Sequence, residues 1–109
     1  MNAISRRTRI EAMLVDDPND DFLRYSLAME LRKELDHDAS LIKLAALTKQ
    51  DKPYVPAFFM AAQQLVDLQR IDEARSYLRD GIEEARMQND LHAAGEMSEL
   101  LCQLGDRID

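Results

Sequence analysis

The sequence predicts an all-α domain, a stack of antiparallel helix hairpins with about six helices, and three observations carry that expectation. First, two stretches 34 residues apart share one spacing of small and large side chains. Phe58, Ala61, Ala62, Leu65, Ala74, Leu78 and Gly81 stand in the second, and Arg24, Leu27, Ala28, Leu31, Ser40, Leu44 and Leu47 in the first, with Tyr25 opposite Phe59. A fixed period of this size marks a helical repeat whose units stack on one another. Second, apolar residues recur every three or four positions, and no segment alternates in the manner of a strand. Third, the chain of 109 residues has only three Gly and three Pro, with no proline from Ala57 to Leu104. One domain of residues 1–109 accommodates all of it.

The first helix is expected over residues 5–15, with Ser5 as N-cap and Ile10, Met13 and Leu14 at helical spacing. Asp17-Pro18 ends it, because proline disfavours the helical conformation in the residue before it. A second helix, 21–35, is capped by Asp20 or Asn19 and repeats Phe22, Leu23, Leu27, Leu31 and Leu35. Asp36-His37-Asp38 reads as a turn, with Asp38 capping a third helix over 39–49. Leu41, Ile42, Leu44, Ala45 and Leu47 give that helix an apolar surface broad enough to be covered on more than one side. Pro53 and Pro56 fall at the start of the fourth helix, where a missing amide donor costs little, and that helix runs to about residue 68. The fifth spans about 72–87. The sixth, 91–104, has Asp90 as N-cap, Gly105 as terminator, and Leu91, Ala94, Met97, Leu101 and Leu104 on one stripe.

Formal net charge is −7, with 32% charged and 46% apolar residues. Three arginines, Arg6, Arg7 and Arg9, sit against a single Glu11 in the first fifteen residues, so the acidity lies in the rest. An acidic body argues against nucleic-acid binding, which draws its affinity from an extended cationic surface. No segment approaches a membrane span, so no membrane partner is expected. The Arg6-Arg7 pair lacks the apolar stretch that an export signal would place after it. Cys102 is the only cysteine and stands beside Leu100, Leu101 and Leu104, where it reads as a buried inert thiol. With nothing demanding an oxidising compartment, the expected location is cytoplasmic.

No residues spell out a reaction. His37 and His92 each lack a second nitrogen or sulfur ligand nearby, so no metal is expected. His92 and Cys102 are nearly three turns apart, too far for a nucleophile–base pair. Asp17-Pro18-Asn19-Asp20-Asp21 lacks the glycine and distal glutamate of a calcium loop. Glu83-Glu84 and Glu96/Glu99 read as helix-surface carboxylates. No catalytic residue and no cofactor are expected, and the chain is read as a non-enzyme.

The size pattern resembles the tetratricopeptide repeat family, whose 34-residue helix-turn-helix units carry a large–small pair in helix A and small residues in helix B. Residues 55–88 match through Phe58, Ala61-Ala62, Leu65, Ala74, Leu78 and Gly81. Residues 21–54 match through Leu27-Ala28, Leu31 and Leu44, and depart at Arg24, Ser40 and Leu47. Residues 5–18 resemble an N-terminal half-repeat, with Ile10 and Met13 in core positions, and residues 90–105 a capping A helix. The resemblance implies a protein-interaction module, an adaptor or scaffold that binds a peptide or protein in a concave groove. Carried over, the groove positions are Phe22, Tyr25, Met29, Arg32 and Lys33 from the first repeat, and Phe59, Gln63, Val66 and Asp67 from the second. The aromatic, Met and basic side chains among them suit a segment with apolar anchors and an acidic group. Phe22, Tyr25, Met29, Phe59 and Val66 could equally pack beneath neighbouring helices. Met29 and Gln63 stand where a carboxylate clamp would have asparagines. The alternative is a structural, self-associating unit. Two repeats are fewer than a stable stack usually needs, and Leu100, Leu101, Cys102 and Leu104 could offer an apolar edge that a homodimer would cover.

Overall fold

A computed structural model describes residues 4–105, and among them every regular element is a helix: α1 (Arg6–Asp16), α2 (Asp21–Lys33), α3 (His37–Lys49), α4 (Val55–Asp67), α5 (Ile71–Met87) and α6 (Leu91–Gln103). The capping chemistry explains where they begin. Side-chain oxygens of Ser5, Asp20, Asp36 and Asp90 accept from the amides of Thr8, Leu23, Ala39 and Ala93, which the first helical turn leaves without partners. The cap of α3 is therefore Asp36, not Asp38. Asp38 lies inside the first turn, where its charge faces the positive end of the helix dipole. His37 is correspondingly the first residue of α3 and not a turn residue. Pro56 sits in the first turn of α4, whereas Pro53 precedes that helix. Leu35 does not extend α2, because its φ is 65°.

The core is divided along the chain. Ile10, Leu27 and Leu31 join α1 to α2. Ala28, Leu44, Leu47, Ala57 and Ala61 join α2, α3 and α4. A larger cluster, including Phe58, Ala62, Leu65, Ala74, Leu78 and Met97, joins α4, α5 and α6. Each helix packs chiefly on its neighbours in the chain, and α4 also touches α6. The small residues of the 34-residue pattern let these helices approach closely: Ala28, Ala61, Ala62 and Ala74 are fully buried. Ser40, which stands where an alanine would be usual, is fully buried too, and its hydroxyl donates to the Ala28 carbonyl at 2.7 Å. It also lies 3.1 Å from Oε1 of the fully buried Gln64, whose amide nitrogen donates to His37 Nδ1 at 3.0 Å. This chain of polar contacts ties α2, α3 and α4 together across two hairpins. Arg24, at the other departure from the pattern, reaches Gln50 Oε1 at 2.7 Å and holds the loop after α3.

Four expectations of burial are corrected. Met13 and Ile42 are exposed, because α1 and α3 each have one side that no other described helix covers. Leu91 is 66% exposed at the first turn of α6, off the stripe that Ala94 and Met97 bury. Cys102 is exposed on the side of α6 that no described helix covers, so it is not a core thiol. Leu100, Leu101 and Leu104 are half-buried and pack against the α4–α6 core.

Candidate functional site

Helices α2, α4 and α6 border a cavity of about 480 Å³. On α4, Phe59, Gln63, Val66 and Asp67 follow one another at helical spacing and so share a face, set beside the face that buries Phe58, Ala61, Ala62 and Leu65. On α6, Glu96, Glu99, Leu100 and Gln103 do the same. Arg32 enters from α2. Phe59, Val66 and Leu100 are half-buried and pack against the core below, so the floor is apolar, while the amides and charges stand around it. That combination suits a protein segment with an apolar anchor.

Five of the nine expected groove residues meet here: Arg32, Phe59, Gln63, Val66 and Asp67. The other four do not line this cavity. Phe22 is 62% exposed and lines a separate hollow of about 350 Å³ between α1 and α2, with Arg6, Arg9 and Met13. Tyr25 packs edge-on against Tyr54, ring centroids 5.6 Å apart, on the α2–α4 core. Burial raises its phenol above the ordinary value, Tyr54 adds to that rise, and Arg32 opposes it. Met29 is half-buried, and Lys33 faces Glu30 at 3.4 Å. Arg32 is not free either: it bridges to Asp67 and donates to the Met60 sulfur at 3.0 Å. Among the described residues, the charge lining the groove is thus one paired arginine against three carboxylates.

Glu96, Glu99 and Gln103 were not legible as groove residues from the repeat. The caps Asp20 and Tyr54 are 34 residues apart, but Asp90 follows Tyr54 by 36, because α5 runs for 17 residues where α3 has 13. Extending the period by a fixed 34 from Phe59, Gln63, Val66 and Asp67 reaches Ala93, Met97, Leu100 and Leu101, of which Leu100 alone lines the cavity. The signal available was the i, i+3, i+4, i+7 spacing of Glu96, Glu99, Leu100 and Gln103 beside the Ala94–Met97 stripe. A second cavity, about 500 Å³, lies between α3 and α5, where Asp80, Glu83 and Glu84 face Lys49 beside Tyr77 and Met87. Among the described residues no group of three or more His, Cys, Asp or Glu could hold a metal ion, and no helix is long and apolar enough to cross a membrane.

No family model matches the chain, and no curated protein matches it. Solved structures do. The tetratricopeptide repeat domain protein from Salinibacter ruber is 27% identical, with a TM-score of 0.76 over 84% of this chain and 94% of that one. A protein from Bordetella parapertussis is 24% identical, with a TM-score of 0.78 over 94% of this chain and 90% of that one, a likeness of fold. With six helices among the described residues, close-packed small side chains and these neighbours, the chain has a tetratricopeptide-repeat-like helical-repeat fold.

Proposed function

We propose that the chain is a non-catalytic adaptor, acting in the cytoplasm, that holds a peptide or protein segment in the groove between α2, α4 and α6. In this reading two full repeats, residues 21–54 and 55–88, lie between a half-repeat at 5–18 and a capping helix at 90–105. The observation that carries it is the convergence of Arg32, Phe59, Gln63, Val66 and Asp67, spread over 36 residues of sequence, on one apolar-floored cavity. Affinity capture from native extract tests it with wild type, Phe59→Ala and Gln63→Arg, each checked for helicity. Both variants are expected to lose the retained proteins while staying folded. An unchanged set retained by both would end the groove reading.

A second reading, self-association, has its own support. Met13, Val15 and Phe22 are exposed apolar residues on α1 and the start of α2. A surface of that kind favours contact with another chain. Light scattering at micromolar concentration distinguishes the two, since a monomer rejects this alternative.

A further inference from the structure

We infer that the groove accepts a cationic segment, a peptide with one apolar anchor and neighbouring lysine or arginine side chains. This rests on the groove reading above and adds the chemistry of the partner. Among the described residues Arg32 is the one cation lining the cavity, and Asp67 already holds it. Lys33, the other basic residue expected there, is turned to Glu30. On the opposite wall Glu99 has no ion-pair partner among the described residues, and Glu96 faces only the exposed imidazole of His92, 3.2 Å away. An acidic ligand would thus enter beside three carboxylates and find the one arginine occupied. A cationic ligand finds two carboxylates on α6 available above Phe59, Val66 and Leu100. Both carboxylates are exposed, so such contacts are modest and screened by salt, while like-charge contacts disfavour an acidic ligand.

The test is selection of a random 12-residue peptide library on the full chain, then titration of the enriched peptides at low and high salt. The expected peptides carry an excess of Lys and Arg around an apolar residue, and they bind more weakly as salt rises. Glu96→Gln with Glu99→Gln, both on the surface, is expected to weaken them roughly threefold to tenfold and to flatten the salt dependence. Gln63→Arg weakens them as well, whereas Asp80→Asn with Glu84→Gln, in the α3–α5 cavity, leaves them unchanged. Neutral or acidic peptides that respond to Phe59→Ala and not to the Glu96/Glu99 pair would overturn the cationic inference and leave the groove standing. Enrichment indifferent to Phe59→Ala and Gln63→Arg, lost only in the Asp80/Glu84 pair, or absent altogether would overturn both.

Discussion

Two glycines in adjacent helices show how far a single position depends on its surroundings. A Cβ added at Gly81 in α5 would come within 2.6 Å of both Phe58 Cβ and Met97 Sδ. The methionine can swing aside, but Phe58 Cβ moves only with its helix. Overpacking of this kind costs about 1–3 kcal/mol, offset by about 1 kcal/mol from the better helix propensity of alanine, so Gly81→Ala should lose about 1 kcal/mol. A Cβ at Gly95 in α6 meets nothing within 4 Å, and Gly95→Ala should gain up to about 1 kcal/mol. Urea unfolding reads both, and equal signs would refute the contrast. The tyrosines make a second prediction. Burial is the leading cause that raises the phenols of Tyr25, Tyr54 and Tyr77 above their ordinary value near 10. Below that pH the neutral phenols are held equally by folded and unfolded chains. As pH climbs past it, the unfolded chain releases its protons first and the fold loses stability. The urea midpoint should therefore fall as pH rises above about 10, and less so in Tyr25→Phe/Tyr77→Phe.

At the scale of the element, three hairpin turns use one device. Leu35, Gln69 and Asn89 have φ of 65°, 59° and 61°, and each is followed by an amide that bonds back to the preceding helix: Asp36 to Leu31, Arg70 to Leu65 and Asp90 to Ala85, at 2.9, 2.8 and 2.7 Å. This is the left-handed helix ending that glycine favours, here built with side chains present. Asparagine tolerates it, whereas leucine does not do so readily. Leu35 is 76% exposed, so replacing it removes little packing. The left-handed conformation costs a leucine about 1–2 kcal/mol, and glycine returns about 0.5–1 of that through its freer unfolded state. Leu35→Gly should gain about 0.5–1 kcal/mol and raise Tm by a few degrees. A lower Tm would show that the side chain contributes packing.

For the whole molecule, shape and stability follow from stacking. The radius of gyration is 14.9 Å, against about 13 Å for a compact domain of this length, and the long axis is 58 Å. Clusters strung along that axis make stability a sum over neighbouring contacts. Only Ile10, Leu27 and Leu31 form the buried cluster that joins α1 to α2, whereas the α4–α6 cluster has ten buried residues. Amide hydrogen exchange should accordingly be fastest in α1 and slowest in α4 and α5. Protection of α1 equal to that of α4 would show a single cooperative unit.

The sequence alone determined what depends on neighbours three, four or 34 positions away. That includes the six helices, the caps Ser5 and Asp90, and the close approach allowed by Ala28, Ala62, Ala74 and Gly81, because hydrophobic period and capping are local chemistry. Tertiary structure decided the rest, because it depends on how each hairpin is rotated against the next. Arg32 paired with Asp67 across two helices and Lys33 turned to Glu30, so neither expected basic residue is left without a carboxylate partner. Glu96 and Glu99 of α6 line the groove opposite residues of α2 and α4. Buried Ser40, Gln64 and His37 found one another across three helices. A fixed repeat specifies which residues face inward. How the helices pack on one another settles which side chains then line the groove.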